Sequence, residues 1–126
     1  MQRILLGLHR KLLAQSIAET MREDARFVFY TEYCAKNIPL AIQNYDIEIA
    51  VIEVPESGSD PAGEKLELCR EIAKASPGCK LLLMCSEDSE QSKRAMVEAK
   101  QKGEIEDFVF YDSSLEYLIT KLESMK

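Results

Sequence analysis

The chain has no tryptophan, a single histidine (His9) and only five glycines in 126 residues, and these shortages remove several function classes at once. Gly7, Gly58, Gly63, Gly78 and Gly103 stand apart, so they supply neither the G-x-G-x-x-G turn of a dinucleotide site nor a phosphate-binding P-loop. The four cysteines, Cys34, Cys69, Cys79 and Cys85, form no C-x-x-C pair, and one histidine beside them leaves no recognisable zinc spacing. They read as free thiols that behave as small apolar side chains. No apolar run approaches the roughly 20 residues needed to span a bilayer, and MQRILLGLHRKLL offers no small-residue cleavage site. The expectation is a cytoplasmic protein with no membrane association. Basic residues are also short: 16 Lys and Arg against 22 Asp and Glu give a net charge of −6 and argue against nucleic acid as a direct partner.

What is present is the balance of an ordinary globule, 46% hydrophobic and 30% charged, at a length that closes one core without staples. A single domain over residues 1–126 follows. The charge deficit is local. Asp46, Glu48, Glu53, Glu56 and Asp60 fall in one stretch with no base. Such a run reads as a solvated strand end and loop, as a cation site, or as a surface for a basic partner.

Five short apolar runs read as strands: Ile4–Leu8, Phe27–Tyr30, Ile47–Val54, Leu81–Cys85 and Phe108–Tyr111. Their lack of strict alternation means burial on both faces, as in a parallel sheet between helices. Glu48 and Glu53 interrupt the third run and are expected at strand ends, where carboxylates reach water. Between the runs lie helical patterns. Leu13, Ile17 and Met21 mark the first, with Arg10, Lys11, Glu19 and Arg22 on its other faces. A short second helix covers about Ile38–Asn44, since Pro39 fits only a first turn. Asp60 caps the third and Pro61 opens it, with Leu68, Ile72 and Ala75 as its stripe and Ser76-Pro77-Gly78 as its stop. Ser89–Lys102 carries Ala95, Met96 and Ala99 on one side and ends at Gly103, and the last helix starts near Ser114 with Leu115, Leu118, Ile119 and Leu122 inward.

This order is (βα) repeated five times. Right-handed crossovers turn it into an α/β three-layer doubly wound sandwich, with a five-stranded parallel sheet in the order 2-1-3-4-5, the flavodoxin-like and CheY-like arrangement. Ligands of such sheets bind at the carboxyl ends of the strands. Function therefore rests on His9 and Arg10, Thr31–Cys34, Val54–Gly63, Cys85–Asp88 and Asp112–Ser114.

Over essentially its full length the chain resembles the receiver domain of two-component response regulators. DIEIAVIEVP (Asp46–Pro55) is similar to that family's D-hydrophobic-D-x-x-x-P segment, LELCREI (Leu66–Ile72) to its third helix, and RILLGL and DFVFY to its first and last strands. The resemblance implies phosphoryl transfer onto an aspartate, with magnesium held by acidic oxygens and the phosphoryl group met by a hydroxyl and a lysine. Position by position, this chain departs from it. The acid pair falls on Leu8 and His9, the phosphoacceptor on Val51, the hydroxyl on Cys85 with Ser86 behind it, and the lysine on Tyr111. Leu8 and Val51 are free to pack where charge would have sat.

The resemblance thus implies a phosphorylation-independent pseudo-receiver: a signalling module acting by protein contact, not an enzyme, with no cofactor and no magnesium. Its partner would be a protein, or a second copy, docking on the fourth helix, fifth strand and fifth helix, where Gln91, Lys93, Arg94, Glu98, Phe110, Tyr111, Glu116 and Tyr117 fall. Phe108 falls where receivers carry an aromatic that changes rotamer, and here it reads as core. The stretch Glu56–Glu64 is longer than usual and acidic, and acts as a lid, a partner surface or a tolerated insertion. The domain either acts alone or is one segment of a longer regulator. The alternative is a small flavodoxin-like binding protein or enzyme in which His9, Glu53, Cys85 and Tyr111 work together at the carboxyl edge.

Overall fold

A computed structural model describes residues 1–125 of the chain. Strands β1 (Gln2–Gly7), β2 (Phe27–Thr31), β3 (Ile49–Glu53), β4 (Lys80–Cys85) and β5 (Asp107–Phe110) alternate with helices α1 (Lys11–Thr20), α2 (Ile38–Tyr45), α3 (Pro61–Ala75), α4 (Glu90–Gln101) and α5 (Leu115–Ser124). All pairings are parallel and the strand order is β2-β1-β3-β4-β5, the doubly wound arrangement expected from the sequence.

Burial follows the strand positions. All five residues of β3 are buried, and β4 is buried except at Lys80, because each has a neighbour on both sides and helices on both faces. The edge strands β2 and β5 are mostly half-buried. Alternation along the strands divides the core in two. Leu5, Ala50, Ile52, Leu83 and Cys85 face α2, α3 and α4, while Ile4, Leu6, Ile49, Val51, Leu82, Met84 and Val109 face α1 and α5. Gly7 is required by the first of these layers, since a Cβ there would lie 2.7 Å from the Ile38 side chain of α2.

The helix signals were mostly legible. The Asp60 carboxylate accepts the Gly63 N–H at 3.2 Å, and Ser89 and Ser114 cap α4 and α5 in the same way. Gly103, at φ 77°, ends α4 in a Schellman turn: Glu104 N–H reaches the Ala99 carbonyl at 2.9 Å and Gly103 N–H reaches that of Lys100 at 3.1 Å. Three readings need correction. The buried stripe of α3 is Ala62, Leu66, Cys69 and Ile72, leaving Leu68 half-buried and Ala75 exposed. A 3₁₀ turn at Ala35–Asn37 precedes α2, which ends at Asp46 in the left-handed region, φ 52°, without a glycine. Glu48 does reach solvent, accepting the Arg3 N–H at 3.2 Å, but Glu53 is only 1% exposed.

Candidate functional site

The carboxyl ends of β1, β3 and β5 converge on a single guanidinium. β1 ends at Gly7, paired with Ile52, so the residues after it run beside Glu53 at the end of β3. Arg10 stands at the N-cap of α1 in extended conformation and makes no capping bond with its side chain, which is left to cross the strand ends. Glu53 follows Val51 by two, and Tyr111 follows Val109 by two, so both side chains leave the sheet toward α1 and α5. Three elements therefore deliver a cation, a carboxylate and a phenol ring to the same place.

Arg10 Nε lies 2.7 Å from Glu53 Oε2, and the Arg10 backbone N–H donates to Glu53 Oε1 at 3.4 Å. The Arg10 guanidinium carbon stacks 4.1 Å from the centroid of the Tyr111 ring, and Nη2 reaches Glu56 Oε1 in the acidic loop at 3.4 Å. His9 Nε2 is 3.4 Å from the same Glu53 oxygen. The Glu53 side chain is fully shielded, while Arg10 is 42% exposed, so the pair is a buried anion met by a cation from the rim. The 2.7 Å contact is an ion pair rather than a directed hydrogen bond, since Oε2 receives no donor of good geometry. The Tyr111 hydroxyl is also buried without a partner. Burial, and then the Glu53 carboxylate, push its pKa above the ordinary phenol value, so Tyr111 stays protonated and is no base.

The positions singled out in the sequence separate into three groups. Leu8 and Val51 are both 0% exposed and belong to one apolar cluster with Leu6, Met84 and Val109. His9 and Tyr111 flank Arg10. Cys85 is 0% exposed and faces the opposite layer, and burial pushes its thiol pKa up to about 11, which leaves it a poor nucleophile. The grouping of His9, Glu53, Cys85 and Tyr111 considered for an enzyme is therefore split: three of the four gather, and the guanidinium fills the space between them.

Two readings of single residues change. Glu53 is not a strand-end carboxylate in water but the buried centre of the site. For Arg10, named in the sequence among the strand-end residues on which function rests but placed on the outer faces of α1, sequence reasoning missed the role: it is the counter-charge of Glu53. A charge count at the carboxyl edge would have found it, because a buried Glu53 needs a counter-charge and Arg10 is the first base after β1.

Magnesium, which the receiver fold implies, does not fit these residues. The side chains of Leu8 and Val51 offer no oxygen, His9 offers nitrogen, and the carboxylates of Glu53 and Glu56 are both engaged by Arg10. Among the described residues no three His, Cys, Asp or Glu side chains converge as metal ligands.

The face proposed for partners is mixed. Arg94 is exposed and Tyr117 is 47% exposed, while Lys93 is held by Glu90 at 2.9 Å. Phe110 is half-buried, edge-on to Phe108 at 5.9 Å, and Phe108 packs against the core as expected. Tyr111 does not belong to this face, since its ring lies under Arg10. A groove of about 430 Å³ runs along Phe108, Phe110, Tyr117 and Lys121. At its head Asp107 ties α4 to α5, with Lys100 Nζ at 3.0 Å and Lys121 Nζ at 2.6 Å.

The strand order and the alternation of strands and helices define a doubly wound domain with the receiver topology. A response regulator of Thermotoga maritima matches with a TM-score of 0.80 and 14% identity, over 99% of this chain and 97% of that one. A Francisella response-regulator receiver domain matches at 0.78 and 17%, over 99% and 96%. A two-component response regulator of Clostridium difficile matches at 0.78 and 18%, over 99% and 95%. No protein-family model and no curated protein matches the sequence. The likeness to solved receivers is thus one of fold, and the chemistry has to be argued from Arg10, Glu53 and their neighbours. No helix among the described residues is long and apolar enough to cross a membrane.

Proposed function

We propose that the chain is a phosphorylation-independent pseudo-receiver, a signalling module related to two-component regulators that acts by protein contact and performs no chemistry. One observation carries the reading: the place where a receiver would gather magnesium and a phosphoaspartate holds a fixed Arg10–Glu53 ion pair above a core containing Leu8 and Val51. A metal and a phosphoryl group are exchangeable ligands that shift populations between two conformations. A covalently attached guanidinium is not exchangeable. Arg10 touches the turn after β1, the end of β3, the acidic loop through Glu56 and the turn after β5 through Tyr111, and so holds these segments in one arrangement.

The contact surface of this reading is the α4, β5 and α5 face, with Arg94, Phe110 and Tyr117 available and Lys93 held by Glu90. A protein partner or a second copy would be recognised there, with no nucleic acid, membrane or cofactor involved. Intact-mass spectrometry after incubation with acetyl phosphate and magnesium tests the reading. The expected result is no mass increase, and a stoichiometric phosphorylated species would overturn it.

A further inference from the structure

We infer that β2, at one edge of the sheet, joins antiparallel to β2 of a second copy of this chain about a twofold axis at Phe29, so that the two sheets become one. The two edges of the sheet differ. At β5 the outward backbone groups are met within the chain: the Phe108 N–H donates to Asp107 Oδ1 at 2.8 Å, and the Phe110 carbonyl accepts the Ser113 N–H at 3.1 Å. An edge left open presents a row of N–H and C=O groups that templates another strand. β2 is such an edge. Its sequence FVFYT carries no charge and no proline, and its aromatic and β-branched residues suit a ladder.

The direction of the free groups follows from the pairing with β1. The Gln2 N–H reaches the Arg26 carbonyl at 2.8 Å, and the Glu32 N–H reaches the Leu6 carbonyl at 3.1 Å. Arg26, Val28, Tyr30 and Glu32 therefore turn their backbone groups to β1, while Phe27, Phe29 and Thr31 turn theirs outward. The Phe27 N–H is held by the Asp24 carbonyl at 3.3 Å. The Phe27 carbonyl, and the N–H and carbonyl of Phe29 and of Thr31, have no partner among the described residues.

A twofold axis at Phe29 matches these groups to themselves, which is why the occupant is a second copy. Phe29 opposes the second copy's Phe29 and the two exchange both bonds, while each Thr31 N–H meets the opposite Phe27 carbonyl. Every outward group of Phe27 and Phe29 is then satisfied, the Phe27 N–H by its own turn. In the same register Val28 faces Tyr30, a β-branched and aromatic pair, and beyond the strand ends Arg26 faces Glu32, so unlike charges oppose one another. Apolar surface flanks the seam. On the α1 side a groove of about 340 Å³ is lined by Met21, Phe27, Val28 and Phe29. On the α2 side Tyr30 stacks on the exposed Tyr45, with ring centroids 4.6 Å apart. β5 lies at the other edge of the sheet, so the α4, β5 and α5 face stays uncovered in both copies.

The inference goes beyond the phosphorylation-independent reading and uses none of Arg10, Glu53 and Tyr111. Sedimentation equilibrium of the full chain up to millimolar concentration tests it, together with nuclear Overhauser spectra of mixed isotope-labelled and unlabelled protomers. A concentration-dependent dimer is expected, with a contact between the Hα of Val28 in one copy and that of Tyr30 in the other, the closely spaced pair of an antiparallel ladder. Thr31→Pro removes an outward N–H and leaves the bonds to β1 in place, and should weaken the dimer about tenfold through the hydrogen bonds lost at both ends of the seam. Tyr117→Ala, on the other side of the domain, should leave it unchanged. A monomer throughout the range, a dimer without the Val28–Tyr30 contact, or a dimer weakened by Tyr117→Ala and not by Thr31→Pro would each overturn the inference.

Discussion

Arg10 and Glu53, 43 residues apart in sequence, meet at 2.7 Å where the strands of the sheet end, the carboxylate fully shielded and the guanidinium partly in water. Removing one partner differs from removing both. Arg10→Ala leaves an unpaired buried carboxylate and is expected to destabilise the fold by about 2 kcal/mol, below the 3–5 kcal/mol of a fully buried pair because the arginine head is partly solvated. Arg10→Met with Glu53→Leu replaces both charges by apolar groups and should recover most of that loss. Urea denaturation of the single and double variants checks the coupling, and strictly additive losses would show that the two residues do not act as a pair.

Tyr111 contributes its ring rather than its hydroxyl. The ring supports Arg10 at 4.1 Å, whereas the hydroxyl is buried with no partner. Tyr111→Phe keeps the stacking and removes an unsatisfied group, so its stability should be equal or higher by up to about 1 kcal/mol. Tyr111→Ala should cost about 2–4 kcal/mol through lost packing and lost cation–π contact. Thermal unfolding of both variants separates the two roles.

Val51→Asp places a carboxylate where the resemblance puts a receiver's phosphoacceptor. Here its surroundings are Leu6, Leu8, Met84 and Val109, with no exposure. The expected outcome is loss of at least about 3 kcal/mol and no gain of phosphorylation by acetyl phosphate, since the neighbouring positions bring no oxygen ligands. A stable, phosphorylated Val51→Asp protein would mean that the apolar cluster is not what closes the site.

Asp107 gives the fold an acid limb. Burial opposes its ionisation, but hydrogen bonds from Lys121, the Phe108 N–H and Lys100 outweigh it and hold its pKa below the ordinary value of 3.8. A depressed folded pKa contributes stability that is fully present above the unfolded value and is lost as pH falls through the folded one. Lys121 is raised above 10.5, chiefly by the same Asp107, so its share is present below that value and is lost as pH rises through the folded pKa. Asp107→Asn should cost about 1–3 kcal/mol at neutral pH and flatten the fall in stability below pH ~4, measured by urea midpoints across pH.

Most of the architecture was legible because its signals are local. Leu82 and Leu83 in β4, Pro61 behind Asp60 in α3 and Gly103 after α4 each announce an element through neighbours in sequence. The site was less legible because it is assembled from distant residues. Val51 and Leu8 could be read as apolar replacements position by position, yet nothing near Glu53 in sequence shows that it is buried, and nothing near Arg10 shows that its side chain leaves α1. Those facts arise only when the pairing of Gly7 with Ile52 sets the two segments side by side. The phase of α3 failed for a related reason: Leu66 and Cys69 lie toward the sheet, and a stripe drawn through Leu68 misjudged that direction.

The central claim is that Arg10 stands in place of an exchangeable ion and phosphoryl group. Titration of the ¹⁵N-labelled protein with magnesium and beryllofluoride, read at the amides of Arg10, Glu53 and Tyr111, tests it directly. The account predicts spectra that do not change. Stoichiometric, saturable shifts at these residues would show that the site still takes a metal and a phosphoryl mimic, and would contradict it.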